Sequence, residues 1–441
     1  MRPGSDWLLR MLEQFPQAGS CHLAFSGGLD SSVLLHLLSE IRTRLPMPIR
    51  ALHVHHGLQA GADAWERHCA ARCRELAIPY RSLQVELPAL AGESLEARAR
   101  ELRYQALAAE LGEGDLLLTA QHQDDQAETL LLQLLRGAGP AGLAAMPARA
   151  RCGAGWLLRP LLDCSRSELE AYARARGIGW VEDPSNQDPR FDRNFLRHEV
   201  MPLLRRRWPA VAATLARSAR LSAELSELGG ELAAQDLAAC VGAGPGRLSV
   251  GALRALPAPR VRNLLRHWVQ RQGGTPPGSR HLQRLLDECL DSRPDAQPLV
   301  RWADQEVRRF GGELFLLEPL PPHDPGRRLE WPDQTPLRLP AGLGELVLEP
   351  VEAGISARRW AAARVEVRFR QGGERCRPAG SAHHRRLKEL MRVWGIPPWE
   401  RERIPLVYLD GELAAIPDHL WCEPFDAPAG ARALLPRWRR P

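Results

Sequence analysis

The first 207 residues alternate short apolar runs with longer amphipathic segments, a pattern typical of strands and helices in turn. The predicted strands are Cys21–Phe25, Ile49–Val54, Tyr80–Val85, Asp115–Ala120 and Trp156–Leu162. Strands that alternate with helices in this way predict an α/β fold with a doubly wound parallel five-stranded sheet. Ligands of such sheets bind beyond the carboxyl ends of the strands, so the chemistry is expected in the loops that follow them.

The amphipathic segments predict a helix before the first strand and one after each strand. Their expected ranges are Asp6–Phe15, Asp30–Arg44, Asp63–Ala77, Ser94–Leu111 and Asp124–Arg136, and a further helix starts at the capping box Ser165–Glu168.

From about Trp208 the pattern becomes mainly helical. Helices are predicted at Val211–Ala239, Pro259–Gln272 and Arg280–Leu290, followed by a hairpin of Leu299–Phe310 and Glu313–Leu317 that turns at Gly311-Gly312. The last part mixes the short strands Glu345–Leu348, Arg364–Phe369 and Leu406–Leu409 with a helix, His383–Trp394. The predicted organisation is an α/β domain at 1–207, a helical domain at 208–318, a linker at 319–335 and a small α+β domain at 336–441.

Composition narrows the class of protein. No apolar run approaches the roughly 20 residues that span a bilayer, and the N-terminus has no signal-peptide layout. The nine cysteines are scattered and odd in number, which favours a reducing cytoplasm over a disulfide framework. A formal charge of +6 and a pI near 9.0 favour a polyanionic partner.

The stretch Ser26-Gly-Gly-Leu-Asp-Ser31 joins the first predicted strand to its helix. Its two glycines allow unusual backbone angles and let a ligand approach the backbone closely. The following amides lie at a helix N-terminus, where a phosphate is favoured. A Walker loop would add a lysine, and this loop has none. The pattern favours a nucleotide loop that holds phosphate by amides, hydroxyls and a metal ion over an ordinary glycine turn.

The fourth strand leads into His122-Gln-Asp-Asp-Gln-Ala-Glu-Thr129, which carries three acids in five residues. Capping and the helix dipole explain one or two acids at a helix start. Asp124, Asp125 and Glu128 are therefore candidates for binding Mg²⁺ or an ammonium group, and the residues alone do not assign which acid does which.

Several basic or aromatic positions have both a structural and a functional interpretation. Arg100, Arg103 and Tyr104 share a helix face with Glu96, which suits either a solvated salt-bridge face or a substrate contact. Arg193 and Arg197 are helical neighbours that either clamp a phosphate or pair with Asp183. Further candidates are Arg136, at a glycine-rich helix end, and His53-Val-His-His56, for which packing is favoured over metal binding.

The glycine loop resembles the PP-loop of the ATP-pyrophosphatase superfamily, which cleaves ATP to AMP and pyrophosphate. The chain as a whole resembles the tRNA(Ile)-lysidine synthetases in the order and spacing of its motifs. The matching stretches are Ser26–Ser31, His53–Leu58, Glu96–Tyr104, His122–Thr129, Arg136–Met146, Arg159–Leu162 and Glu182–Arg197. The likeness is strong over about 20 to 205, weaker in the middle, and returns at Gly373–Pro378, Lys388–Leu390 and Gly395–Tyr408.

The resemblance implies a Rossmann-like PP-loop domain and a two-step reaction. The C2 oxygen of the wobble cytidine of a CAU-anticodon isoleucine tRNA attacks the α-phosphate of ATP, and the ε-amino group of L-lysine then displaces AMP. The residues that it implies for ATP binding are Ser26, Gly27, Gly28, Leu29, Asp30 and Ser31. It implies catalytic roles for Asp30, Asp125 and Glu128, and a Mg²⁺ ion at Asp30 or Asp124.

The resemblance also implies a tRNA partner held by basic residues and a homodimer. Besides the positions above, the tRNA candidates lie near the C-terminus: Arg375, Arg377, His383, His384, Arg385, Arg386 and Lys388. Such a charge run is otherwise a solvated helix face. The competing functions are a PP-loop tRNA thiolase, which would need reactive cysteines near the site, and a tRNA-binding protein without catalysis, which would not need three acids opposite the loop.

Overall fold

The structure is a computed structural model that describes residues 3–55, 62–85, 95–182, 188–293 and 296–440, with the side chains of 62 and 95–97 left out. The chain divides into two compact units, Met1–Gly229 and Gly230–Pro441. Among the described helices, none is long and apolar enough to cross a bilayer.

The first unit is built on a six-stranded sheet with the strand order β3-β2-β1-β4-β6-β5. Its strands are β1 (Cys21–Ala24), β2 (Ile49–His55), β3 (Tyr80–Gln84), β4 (Leu116–Leu118), β5 (Arg149–Cys152) and β6 (Gly155–Leu158). The five predicted strands are confirmed and run parallel to one another. The prediction missed β5, an antiparallel edge strand beside β6.

Helices pack on both faces of this sheet, as a doubly wound fold requires. In chain order, the helices up to Ala239 are α1 (Ser5–Leu12), α2 (Leu29–Ile41), α3 (Ala62–Glu75), α4 (Leu95–Ala109), α5 (Gln123–Leu135), α6 (Pro140–Leu143), α7 (Arg166–Ala175), α8 (Asp192–Phe195), α9 (Met201–Arg207) and α10 (Val211–Ala239). A 3-10 turn spans Pro160–Asp163, and a π-helical turn at Leu196–Val200 connects α8 to α9.

Neighbouring residues of β2 show how the two faces are buried. Ala51 packs in a core with α1, α2 and α7, whereas Leu52 packs in a second core with Leu107 of α4. Successive strand residues point to opposite faces, so the two cores lie on opposite sides of the sheet.

The second unit begins with the C-terminal end of α10, and then a small helical and β-sheet region. Its elements are β7 (Leu248–Ser249), α11 (Val250–Arg254), α12 (Ala258–Arg271), α13 (Ser279–Arg284) with a π-helical turn to Leu290, β8 (Leu299–Trp302), β9 (Gln305–Phe310) and β10 (Glu313–Leu317). The hairpin at Gly311-Gly312 is confirmed, since Phe310 pairs with Glu313. The predicted strand Leu299–Phe310 is two strands, because Ala303 adopts a positive φ and turns the chain.

The C-terminal part of this unit is rich in strands. Its elements are β11 (Arg328–Glu330), β12 (Leu337–Arg338), β13 (Glu345–Val351), β14 (Ile355–Ser356), α14 (Ala357–Ala362), β15 (Val365–Phe369), β16 (Arg375–Cys376), β17 (Arg385–Arg386), α15 (Leu387–Val393), α16 (Pro398–Arg401), β18 (Pro405–Leu409), β19 (Glu412–Ile416), β20 (Leu420–Trp421) and β21 (Ala433–Arg439). They form sheets β11-β15-β18-β19-β20 and β12-β13-β21-β14 and the ribbon β16-β17.

Two differences from the sequence prediction fall in this region. The predicted helix His383–Trp394 is wrong in its first turn, because Arg385 and Arg386 pair as a strand with Cys376 and Arg375. Within the predicted linker, Arg328–Glu330 forms an edge strand of the larger sheet and Trp331 is 1% exposed in its core.

Candidate active site

The glycine loop leads from β1 into α2 at the carboxyl edge of the sheet. Gly27 has a φ of +77°, and a Cβ there would lie 2.7 Å from both Cys69 Sγ and Trp65 Nε1. Gly28 is the N-cap of α2, so the amides of the first turn of this helix are directed out of its N-terminus. Only glycine fits the backbone of this turn at position 27, as the sequence pattern predicts.

Hydroxyl and carboxylate groups line the loop. Ser31 Oγ donates to the carbonyl of Gly28 at 3.1 Å and lies 3.0 Å from Ser26 Oγ. The carboxylate of Asp30 lies with its Oδ2 3.6 Å from Nε2 of His122. Its Oδ1 is buried and has no hydrogen-bond partner among the residues that the structure describes. The loop therefore holds one carboxylate oxygen that is ready to accept a cation or a donor.

His122 joins the loop to the acidic helix α5. It is the N-cap of α5 in a reciprocal capping box, in which its backbone N–H donates to Asp125 Oδ2 at 3.0 Å and its Nδ1 accepts from the Asp125 amide at 3.4 Å. Burial alone would lower the pKa of His122, but the carboxylates of Asp125 and Asp30 outweigh it and raise that pKa. Sequence reasoning missed this histidine, since the acids themselves were the expected caps.

Two arginines from α8 and the π-helical turn neutralise the other acids of α5. Arg193 contacts Glu128 Oε2 at 3.0 Å and Asp125 Oδ1 at 3.2 Å. Arg197 contacts Glu128 Oε1 and Asp125 Oδ1, both at 2.8 Å. Burial would raise the pKa of Asp125, but His122, Arg197 and Arg193 lower it. Burial would likewise lower the pKa of Arg197, but Glu128 and Asp125 raise it. Arg193 and Arg197 thus bind α5 rather than standing open to solvent, and Asp183 lies outside the described residues.

Asp124 is fully engaged by protein groups. Its Oδ2 accepts from the backbone N–H of Arg166 at 2.8 Å, and its Oδ1 pairs with the guanidinium of Arg205. Each oxygen of Asp124 thus has a described protein partner, in contrast to Oδ1 of Asp30.

The aromatic and basic candidates of α4 lie beside a buried arginine. The guanidinium of Arg100 lies 5.3 Å from the ring centre of Tyr104, whose hydroxyl accepts from Gln121 at 3.4 Å. Arg159 is 8% exposed, and burial lowers its pKa. Arg103 is exposed, and the side chain of Glu96 is not described. The guanidinium of Arg159 donates to the carbonyl of Pro147 at 2.6 Å.

No described ion pair joins the remaining histidine and arginine candidates to the carboxylates of Asp30 and α5. His53 Nδ1 donates to the carbonyl of Phe25 at 2.9 Å, and His55 lies 3.3 Å from Asp63, while 56–58 lie outside the described residues. Over the described part of the chain, no group of three or more His, Cys, Asp or Glu residues is arranged to hold a metal ion. Arg136 is the exposed C-cap of α5.

The C-terminal candidates form a short basic ribbon, which we define as Arg375, Arg385, Arg386 and Lys388. Arg375 and Arg386 face each other across β16 and β17. All four side chains are exposed and make no ion pair with any residue that the structure describes. His383 and His384 are exposed just before the ribbon, whereas Arg377 pairs with Glu423.

Three family models match the chain in order. A PP-loop domain covers residues 6–204, the TilS substrate binding domain covers 248–315, and the TilS substrate C-terminal domain covers 365–440. Together with the loop and acidic helix, these matches define an ATP-using enzyme of the PP-loop class.

Relatives that match nearly the whole length of the chain identify its family more closely than the separate domains do. The tRNA(Ile)-lysidine synthase of Methylococcus capsulatus is 46% identical over 90% of this chain and 91% of its own. The tRNA(Ile)-lysidine synthase of Coxiella burnetii is 41% identical over 95% of this chain and 93% of its own. Among solved structures, the U34-tRNA thiolase NcsA of Methanococcus maripaludis aligns at 16% identity over 49% of this chain and 77% of its own, with a TM-score of 0.42. The chain belongs to the tRNA(Ile)-lysidine synthase family.

Proposed function

We propose that this chain joins the ε-amino group of L-lysine to C2 of the wobble cytidine of a CAU-anticodon isoleucine tRNA. In the first step the C2 oxygen attacks the α-phosphorus of ATP, and the bond to the pyrophosphate breaks. In the second step the lysine amine attacks C2, loses a proton, and AMP leaves with the former C2 oxygen. The observation that carries this proposal is the link through His122 between Asp30 of the ATP loop and the acids of α5.

The glycine loop has the features needed to hold the leaving pyrophosphate. The loop offers the amides at the N-terminus of α2 together with the hydroxyls of Ser26 and Ser31. Fixed donors aimed at charge that develops in the transition state are a strong source of catalysis. The loop is therefore assigned to ATP, with Ser26, Gly27, Gly28, Leu29, Asp30 and Ser31 as its binding residues.

Asp30 is the residue that fits a Mg²⁺ ion. Mg²⁺ in nucleotide sites is held by one or two carboxylates together with phosphate oxygens and water. Oδ1 of Asp30 is buried without a described partner, whereas both oxygens of Asp124 are occupied. When bound, the ion would neutralise charge on the leaving pyrophosphate, and Asp124 instead holds Arg205 in place.

Asp125 and Glu128 are assigned to L-lysine together with the two arginines that they bind. A free amino acid carries a carboxylate and an ammonium group, and the site offers guanidinium groups beside carboxylates. The pairs Arg193–Glu128 and Arg197–Asp125 hold these groups at 3.0 and 2.8 Å before any ligand enters. Such a neutral network recognises a zwitterion without leaving a buried charge unpaired in its absence.

The basic ribbon and the basic residues near the site are assigned to tRNA. Phosphate contacts from arginine and lysine supply most of the affinity for nucleic acid. The candidates near the site are Arg100, Arg103, Tyr104 and Arg136, whereas Arg193 and Arg197 are assigned to lysine because the carboxylates of α5 neutralise them. Arg375, Arg377, Arg385, Arg386 and Lys388 are the candidates in the C-terminal region, with Arg377 held by Glu423.

The function of a thiolase is disfavoured by the high pKa of the cysteine that packs against the loop. Cys69 packs against Gly27, and burial raises the pKa of its thiol to about 12. A sulfur nucleophile acts as the thiolate, so this cysteine is poorly suited to sulfur transfer at neutral pH. All nine cysteines are buried and outside disulfides, which supports a reducing cytoplasm.

A homodimer is a further part of the proposal. The described face of α10 leaves Leu221, Leu225, Leu228 and Leu232 exposed by 56%, 58%, 61% and 37%. Their spacing of four, three and four residues matches a helix-pairing stripe. L225E together with L228E is expected to give a monomer by light scattering if this stripe is the dimer contact.

The test is incubation with ATP, labelled L-lysine and an isoleucine tRNA with a CAU anticodon. The expected result is label on the tRNA and release of one AMP for each lysine attached. D30A and D125A should abolish label transfer, and the matched control D192A, an exposed aspartate of α8, should retain it. Transfer that persists in both site variants contradicts the assignment of the site.

A further inference from the structure

The carbonyls of the glycine loop are held by other parts of the fold. Four successive carbonyl oxygens, those of residues 25 to 28, each accept a hydrogen bond. The donors, in order, are His53 Nδ1 at 2.9 Å, Trp65 Nε1 at 2.6 Å, the amide of Val181 at 3.0 Å, and the amide of Ser32 with Ser31 Oγ at 2.9 and 3.1 Å. The first three donors come from β2, α3 and the segment after α7, which are distant in sequence.

This arrangement sets the electrostatic polarity of the loop. A backbone carbonyl carries the negative end of the peptide dipole, and it would repel a triphosphate if it turned toward the ligand. Each of these hydrogen bonds ties one carbonyl to the protein. The amides on the other side of the same peptide planes are then held in place without reorganisation at the moment of reaction. Among them, the amide of Gly28 donates to Ser26 Oγ at 3.4 Å.

Two of these donors are side chains outside the loop. Trp65 is half-buried, and its Nε1 donates to the Ser26 carbonyl. The same nitrogen would lie 2.7 Å from a Cβ added at Gly27. His53 is buried, and burial lowers the pKa of its imidazole, which stays neutral and keeps one N–H for the Phe25 carbonyl. His53 belongs to the His-x-His-His motif, for which neither metal binding nor catalysis gives an account.

We propose that Trp65 and His53 are positioning residues for the ATP loop, each of which holds one loop carbonyl so that the loop amides stay directed at the phosphates of ATP. Both side chains donate to the loop itself, so their effect is expected on the affinity for ATP. The inference rests on the proposed function only in placing ATP at this loop.

The experiment uses the full chain with W65F, which keeps an aromatic ring and removes the N–H. Loss of one hydrogen bond is worth about 0.5–1.5 kcal/mol, so KM for ATP should rise about two- to tenfold. KM for lysine and for tRNA should stay within about twofold of the original values. The matched control is W156F, since Trp156 lies in the same unit on β6 and stacks under Arg149 and Arg151 without touching the loop.

A second pair of variants tests the histidine. The amide nitrogen of asparagine occupies a place near that of Nδ1, so H53N keeps a donor for the Phe25 carbonyl and H53L does not. The KM for ATP should be restored in H53N relative to H53L, with melting temperatures of the two variants alike.

The outcomes separate the two proposals. An unchanged KM for ATP in W65F and H53L overturns the positioning role while leaving the enzyme's reaction intact. Equal loss of stability and of all kinetic constants also overturns it, because that is the mark of a merely structural role. Failure of the unsubstituted chain to bind ATP, measured by calorimetry with ATP and Mg²⁺, contradicts the proposed function instead.

Discussion

Arginine plays opposite parts in the acidic site and in the basic ribbon. In the first unit, Arg193 and Arg197 are each bonded to two carboxylates of α5, and less than a quarter of either side chain is exposed. In the second unit, Arg375, Arg385 and Arg386 are exposed and have no ion pair with a described residue. The same residue type thus closes a charge network in one region and leaves its charge available in the other.

The difference teaches how to separate structural from binding arginines. A guanidinium that is already bonded to carboxylates contributes its geometry, because its charge is cancelled at close range. An exposed and unpaired guanidinium keeps its charge for a polyanion and is sensitive to salt. The predictions below test this contrast.

The largest effect is expected for E128Q. Glu128 is 3% exposed, and its loss leaves Arg193 and Arg197 to share a single carboxylate. Breaking a buried pair on one side costs about 3–5 kcal/mol of stability, and lysine transfer should fall by about a thousandfold or more. Urea unfolding and single-turnover label transfer measure the two effects.

The matched control is E170Q, since Glu170 pairs with Arg174 at the surface of α7. An exposed pair is worth about 0–1 kcal/mol, so E170Q should leave stability and activity nearly unchanged. Equal effects of E128Q and E170Q would show that the buried network is no more important than a surface pair.

A smaller effect, confined to tRNA, is expected when the ribbon is reversed in charge. R375E, R385E and R386E combined should weaken tRNA binding by about ten- to a hundredfold and reduce the salt slope of the binding constant by about three. The KM for ATP should not change. Filter binding over a range of salt concentrations gives both numbers.

Arg377 provides the internal control for the ribbon. Because Glu423 already neutralises it, R377Q should weaken tRNA binding less than R385Q does. The opposite order would remove the distinction between paired and unpaired arginines in this region.

The smallest effect is a pH dependence confined to the first unit. Burial lowers the pKa of His53 in the folded chain, whereas the unfolded histidine takes up a proton below about pH 6.5. The stability that His53 contributes is therefore present above that pH and is lost as the pH falls toward the folded pKa.

Between pH 7 and pH 5, the original chain should lose unfolding free energy relative to H53N. Urea melts at the two pH values provide the measurement. A relative gain on acidification would show that the folded imidazole is protonated.

Local patterns predicted the parts of the fold that rest on local physics. The spacing of apolar residues predicted the strand Cys21–Ala24 and the helices α2 and Val211–Ala239. The conformational freedom of glycine predicted the turn between that strand and α2. The edge strand Arg149–Cys152 was missed because it has no apolar run, and its place depends on pairing with β6. Likewise Arg385 and Arg386 lie in a strand because of their partners on β16.

The candidate site shows the same division. The acids of α5 and the glycine loop were recognisable from spacing, but the partners of those acids were not. Arg193 and Glu128 are separated by 65 positions along the chain, and Arg205 and Asp124 by 81. No local pattern encodes a contact over such a separation. The sequence therefore did not decide whether Arg193 and Arg197 bind a phosphate or a carboxylate.

The burial of every cysteine makes the chain convenient for optical work. All nine thiols lie in the described interior, and burial raises the pKa of Cys21, Cys73 and Cys289 to about 12. Maleimide dyes react with accessible thiolates. A hydrogen bond with Cys422 lowers the pKa of Cys376 in β16, so this thiol is the first to replace. A cysteine introduced at the exposed Lys388 of a C376A chain would then accept a fluorophore selectively, and energy transfer would follow the approach of a labelled RNA to the ribbon.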